Sequence, residues 1–193
     1  MVPAGASGIE IYARSVMLDL NGFEIRTAAT CPRDENSGAV HCPNSIGKIG
    51  VDCKAGGNAL RNGRVSGFMS GVHYKGADHL ENLRVENNVH GVVSEPFVGA
   101  RTLIRSVRAQ NNAESGFWAH SALIQGATSA ANGSNGFFLG NSLVTDSFAG
   151  KNNGAGFRGF GDSSLVLGRN TSWNNRAGDF ANITAMGDNH DSV

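Results

Sequence analysis

An asparagine stands four residues ahead of a glycine five times in this chain, and the pairs recur about every twenty residues. The pairs are Asn87/Gly91, Asn112/Gly116, Asn132/Gly136, Asn152/Gly156 and Asn174/Gly178. Successive asparagines are 25, 20, 20 and 22 residues apart. A fixed period of this size is typical of a solenoid, in which each repeat stacks on the one before.

Apolar positions repeat in register with the Asn/Gly pairs. Leucines at 103, 123 and 143 are followed in their repeats by Phe117, Phe137 and Phe157, and Leu165 begins the next repeat. A repeat of about twenty residues holds three short strands but is too short for a strand-helix unit, so each strand must pair in parallel with the strands one turn above and below. We expect the phenylalanines to stack inside the coil and the repeat asparagines to form a hydrogen-bonded ladder at a left-handed turn.

Three segments resemble a known family. Leu18 to Ile25 (LDLNGFEI), Arg61 to Phe68 (RNGRVSGF) and the later Asn-Asn-x-x-Gly turns are similar to the right-handed parallel β-helix of the pectate-lyase-like superfamily. The resemblance covers roughly residues 9–184. It implies an all-β, single-stranded, right-handed parallel β-helix of about seven rungs with three short strands per rung. We treat 1–193 as a single β-helix domain with a loop insertion at 26–46.

The three cysteines suggest an exported protein. Cys31 and Cys42 bracket a polar loop, and a disulfide between them would stabilise by about 3 kcal/mol in the chain-entropy model. Cys53 lies in a strand-like alternation and is interpreted as a small core residue. A disulfide implies a secreted or periplasmic protein, although the chain shows no signal peptide. The sixteen basic and sixteen acidic residues cancel, so we expect no nucleic-acid partner; we also expect no membrane span.

The alternation of each strand after the repeat glycine separates inward from outward side chains. It places Trp118 beside Phe138 on the outside, flanked by charged groups. The predicted substrate-binding residues are His73, His120, Trp118, Phe138 and Arg158. A sugar ring could stack on the aromatic pair, but residues 26–46, the C-terminal tail or a second copy of the chain could equally cover it.

The sequence offers no catalytic or metal motif. Glycosidic hydrolysis needs two carboxyl groups about 5–10 Å apart, and Glu81, Glu95 and Asp146 are the weak candidates. No cluster of acidic residues has calcium-ligand spacing, and zinc ligands are too few. We therefore expect no cofactor; calcium would be needed only by a lyase. The isolated arginines, among them Arg84, Arg105 and Arg108, are interpreted as solvated strand residues.

The sequence favours a binding protein over an enzyme. The leading hypothesis is an exported β-helix scaffold that binds polysaccharide, or associates with another copy of itself as a homo-oligomer, through its aromatic outer face. The alternative is a polysaccharide lyase, hydrolase or epimerase acting in a groove on the β-helix, and it rests on the fold resemblance.

Overall fold

The computed structural model describes residues 1–94, 101–160, 165–183 and 185–192. These residues form parallel strands stacked as a β-solenoid of about six turns, and the described ranges contain no α-helix. The predicted fold class is confirmed, with a turn count close to the seven expected. No helix in the described part of the chain has the length and apolar character needed to cross a bilayer.

The first of the three faces of the coil, face A, is an eight-stranded parallel sheet. From one edge of this sheet to the other, the strands are β1 (Ile9–Ile11), β4 (Gly47–Cys53), β6 (Phe68–Tyr74), β8 (His90–Ser94), β11 (Phe117–His120), β14 (Phe137–Gly140), β17 (Phe157–Gly159) and β20 (Phe180–Ala181).

The other two faces belong to one fourteen-stranded sheet. Face B contains β2 (Met17–Asp19), β9 (Thr102–Arg105), β12 (Ala122–Gln125), β15 (Ser142–Thr145), β18 (Leu165–Gly168) and β21 (Ala185–Met186). Face C contains β3 (Glu24–Arg26), β10 (Arg108–Gln110), β13 (Thr128–Ala130), β16 (Phe148–Gly150), β19 (Thr171–Trp173) and β22 (His190–Ser192). Two long strands, β5 (Ala59–Ser66) and β7 (His79–Glu86), continue across the corner and join the two faces.

The chain turns at the corners through residues with left-handed backbone, which lets it change direction within a few residues. The corner between faces A and B uses Ser121 and Asn141, and the corner between faces B and C uses Asn82, Ser106, Asp146 and Arg169. The corner between faces C and A, which we call the C/A corner, uses Asn87, Asn111, Ala131, Lys151 and Asn174.

The predicted phenylalanine stack is confirmed. The rings of Phe117, Phe137 and Phe157 are fully buried and parallel, with centroids 4.7 Å apart at both steps. Phe180 continues the stack at 5.5 Å. Strands in register bring identical side chains to the sheet spacing, so one ring in each turn fills the interior above the next.

The asparagine ladder is present, but its ends differ from the predicted pairs. Its members are Asn88, Asn112, Asn132, Asn152 and Asn175. Each side-chain Nδ2 donates to the Oδ1 of the next asparagine, at 2.8–3.2 Å. The turn and ladder roles that we assigned to one residue are divided between neighbours, since Asn87 and Asn174 have the left-handed backbone and lie outside the ladder.

Asparagine doublets account for the difference. Asn87-Asn88 and Asn174-Asn175 each offer two residues near the repeat glycine, and the spacing rule selects the first of them. The register follows the sheet, however: Phe157 pairs with Phe180, so the last turn is displaced by one residue relative to Gly178. The hydrogen bonds of the buried asparagine side chains therefore decide which asparagine of each turn occupies the ladder, and the distance to the repeat glycine does not.

The segment between β3 and β4, residues 27–46, lies along the C/A corner. The predicted disulfide between Cys31 and Cys42 is formed. Cys31, Val40 and Ile46 are buried in a small second core, which shows that the segment packs despite its polar sequence. Cys53 is fully buried in the main core, as predicted.

Candidate functional site

The outward side chains of face A fall in the predicted register. His73, Val93, Trp118, Phe138 and Arg158 occupy one column on consecutive strands. Inward neighbours in the same strands, such as Tyr74 and Leu139, are buried. The alternation inferred from the repeat glycine therefore places the predicted substrate-binding residues on one outer surface.

Five rings on this surface form what we call the aromatic cluster: His90, Trp118, His120, Phe138 and Phe160. Trp118 is 39% exposed, whereas Phe138 and Phe160 are half-buried. The ring centroids of Phe138 and Phe160 are 4.1 Å apart, and Trp118 lies within 6.5 Å of both. The cluster thus presents the Trp118 ring on a packed aromatic base.

Gly140 makes room for the cluster. It lies between His120 and Phe160 in the second outer column, and the two rings stack across it at 4.4 Å. A Cβ at Gly140 would lie 2.5 Å from His120 and 3.1 Å from Phe160. Sequence reasoning does not connect Phe160 with His120, because their contact depends on the absence of a side chain at Gly140.

The polar groups around the cluster differ in charge. The guanidinium of Arg158 lies 5.6 Å from the centre of the Phe138 ring, in a cation–π contact. Burial lowers the pKa of both His90 and His120, so both imidazoles are neutral at pH 7. The cluster therefore has one fixed positive charge at its edge and neutral rings inside.

His73 lies two strands from Trp118 and belongs to an acid–base group that sequence reasoning missed. Its Nδ1 is 2.9 Å from Oδ1 of Asp52, whose side chain is fully buried although it points outward from β4. The other carboxylate oxygen of Asp52 contacts the Nζ of Lys54, and this pairing raises the pKa of Lys54. A buried carboxylate needs such partners. No pattern in the sequence distinguishes Asp52 from a solvated strand residue.

Two of the predicted catalytic carboxylates, Glu81 and Asp146, are not brought together. Glu81 and Asp146 lie three strands apart on face B, which corresponds to about 14 Å at the usual strand spacing. Asp146 is held by Arg169 through two hydrogen bonds of 2.7 and 2.9 Å, and this contact keeps its pKa below the usual range. Glu95 lies outside the described residues.

Metal ligands are not gathered in the part of the chain that the structure describes. No group of three or more His, Cys, Asp or Glu side chains there could hold a metal ion. Asp52 and His73 have Lys54 as their neighbour, and a positive ammonium group beside a carboxylate opposes cation binding.

The outer surface of face A therefore presents an exposed aromatic ring, with Arg158 at one edge of the cluster and the Asp52–His73 contact on the opposite side. Comparison with known proteins assigns no family to the chain, since no family model matches it and a search of curated proteins finds no match.

Proposed function

We propose that the chain is an exported scaffold of the pectate-lyase-like, parallel β-helix type that binds glycan on face A. The observation that carries the proposal is the exposed ring of Trp118 on the packed aromatic cluster. A tryptophan at a rigid sheet surface offers a flat apolar platform at little cost in conformational entropy, because the side chain has only two rotatable bonds.

The chemistry around Trp118 fits a sugar. A pyranose ring has an apolar face of C–H groups that can stack on an indole, and its hydroxyl groups need hydrogen-bond partners at the rim. Arg158 is exposed one strand beyond Phe138, and His120 lies in the neighbouring column. Strands spaced about 4.8 Å apart would let successive sugar units of a chain lie along the axis of the solenoid.

The cysteines support the proposed location. A disulfide between Cys31 and Cys42 is compatible with an extracellular environment, where such bonds persist. We accordingly place the protein among secreted or periplasmic proteins, where polysaccharide is abundant.

The test compares two tryptophans of equal exposure. Trp118 and Trp173 are both 39% exposed, but Trp173 lies on face C. Binding of the wild-type protein to a panel of neutral and acidic polysaccharides is measured by isothermal titration calorimetry. Trp118→Ala should weaken binding to the best glycan about tenfold or more, whereas Trp173→Ala should leave it unchanged. Equal affinities for wild type and Trp118→Ala would contradict the proposal.

Self-association through the same face is the competing use of the aromatic cluster. Size-exclusion chromatography with light scattering separates the two, because a dimer that Trp118→Ala converts to monomer points to a second copy as the partner. A wild-type monomer at high concentration that binds glycan supports the proposal.

The enzyme alternative has one specific observation in its favour, the Asp52–His73 contact. A carboxylate bound to Nδ1 fixes the orientation of an imidazole, an arrangement that enzymes use in proton transfer. Release of reducing ends from the polysaccharide panel, with and without calcium, tests it directly. Release that is lost in His73→Asn would replace the binding proposal with a catalytic one.

A further inference from the structure

Three exposed arginines are grouped where faces B and C meet. Arg84 on β7 and Arg108 on β10 lie opposite each other in the parallel register. Arg105 precedes Arg108 by three residues and lies at the end of β9, just before the corner residue Ser106. All three side chains are exposed. Arg105 and Arg108 therefore belong to the same turn of the solenoid, and Arg84 belongs to the neighbouring turn. The Cα atoms of Arg84 and Arg108 are about 4.8 Å apart at the usual strand spacing.

These arginines have no ionic partner among the described residues. No carboxylate there lies within 4 Å of Arg84, Arg105 or Arg108, and none of the three guanidinium groups has a hydrogen bond in that part of the chain. Glu81 is opposite Arg105 in the register yet forms no ion pair with it. The contrast with Arg64, the next residue in the same column, is clear, since Arg64 contacts both Glu24 and Glu86.

Two other outward positions on neighbouring strands pair opposite charges. Asp19 and Arg61 are register partners joined at 2.9 Å, and Asp146 is joined to Arg169 at 2.7 Å. Like charges directly opposite each other on neighbouring strands are destabilising. The pairing of Arg84 with Arg108 in the register is thus unfavourable for the fold alone, and an anion placed between the two guanidinium groups would relieve it.

We propose that Arg84 and Arg108, with Arg105 at the rim, bind a tetrahedral oxyanion of the sulfate or phosphate ester type. A guanidinium group donates two parallel hydrogen bonds in a planar fork. One such fork satisfies the two oxygens of a carboxylate, whereas an ester of sulfate or phosphate has three terminal oxygens that two forks can share. The site lies away from the aromatic cluster and does not depend on the function proposed for face A.

The experiment uses the full chain and defined probes. Dextran sulfate, neutral dextran and polygalacturonate are titrated by calorimetry at low and physiological salt, and inorganic sulfate and phosphate are added as competitors. We expect dextran sulfate to bind, to weaken as salt rises and to be displaced by both inorganic anions. Neutral dextran should not be bound at this site. Binding of polygalacturonate as tight as that of dextran sulfate would overturn the assignment to a tetrahedral anion.

Two double variants locate the site. Arg84→Gln/Arg108→Gln should weaken dextran sulfate binding about tenfold or more. Arg14→Gln/Arg101→Gln removes the same charge from two other exposed arginines and should change affinity little. An equal loss of affinity for dextran sulfate in both double variants would mean that the net charge of the protein attracts the polymer. That result would overturn the proposal of a specific site. Trp118→Ala should retain dextran sulfate binding, so failure of the anion site and failure of the glycan proposal are separable.

A thermal measurement tests the repulsion independently. Without added anion, Arg84→Gln/Arg108→Gln should melt at the same temperature as wild type or higher, because two positive charges no longer lie opposite each other in the register. Inorganic sulfate should raise the melting temperature of wild type more than that of this variant, since a ligand stabilises only the folded state that binds it. An equal rise in both proteins would contradict the site.

Discussion

The buried ladder makes a quantitative prediction at Asn152, which is 2% exposed. Its Nδ2 donates to Oδ1 of Asn175 at 2.8 Å and to the carbonyl oxygen of Ser129 at 3.1 Å. Its Oδ1 accepts from the backbone nitrogen of Asn132 at 3.1 Å and from Nδ2 of Asn132 at 2.9 Å. Asn152→Ala removes all four of these hydrogen bonds.

The cost can be worked out from the groups left behind. Nδ2 of Asn132 keeps Ser129 Oγ at 3.1 Å, and Oδ1 of Asn175 keeps the backbone nitrogen of residue 152 at 3.0 Å. The backbone N–H of Asn132 loses its acceptor, which costs about 1–3 kcal/mol in a buried site. With about 0.5–1.5 kcal/mol for each of the other three bonds, the free energy of unfolding should fall by roughly 2.5–7.5 kcal/mol.

Asn153 supplies the matched control. This neighbour is half-buried, and its side-chain oxygen accepts one hydrogen bond, from Nη1 of Arg176 at 3.2 Å. Asn153→Ala should cost less than about 1 kcal/mol. Urea denaturation gives both free energies, and amide hydrogen exchange should show faster exchange at Asn132 in Asn152→Ala only. Identical unfolding midpoints for the two variants, or an Asn132 amide that stays protected, would refute the reasoning.

Two further predictions concern the core. Phe137→Ala removes the middle ring of the stack and should lower the free energy of unfolding by about 3–5 kcal/mol. Phe148→Ala, at a half-buried position on the outer surface of face C, should lower it clearly less. Urea denaturation measures both values, and equal losses would contradict the stack as the main packing element. Burial raises the pKa of the Cys53 thiol to about 12, so it stays protonated at pH 8, and Ellman's reagent should label it only in denaturant; rapid labelling of the native protein would show that Cys53 is accessible.

The repeat predicts most of the fold because every turn repeats the same local constraints. Phe117, Phe137 and Phe157 are correctly placed inside, and Trp118 and Phe138 outside, because a strand alternates with period two from a fixed glycine. Asn88 and Asn175 are missed because a doublet offers two residues and only the hydrogen-bonded register chooses between them.

The polar features of the site depend on contacts between turns, which cannot be recognised from the sequence pattern alone. Burial of Asp52 is tolerated because Lys54 and His73 contact its carboxylate, and His73 comes from the next strand. The His120–Phe160 contact depends on the space above Gly140, which lies on the turn between those of His120 and Phe160. The strand register must be known before such triads can be recognised.

The disulfide segment changes how the whole coil should respond to force and heat. In a solenoid each turn touches only its neighbours, so unravelling can begin at an end and move inward one turn at a time. In this chain the guanidinium of Arg33 bonds the carbonyl of Lys151, and that of Arg176 bonds the carbonyl of Ser37, across 118 and 139 residues of sequence. The segment therefore connects the first turns of the solenoid to the last ones along the C/A corner. The C-terminal turns cannot unfold on their own without also breaking these two hydrogen bonds.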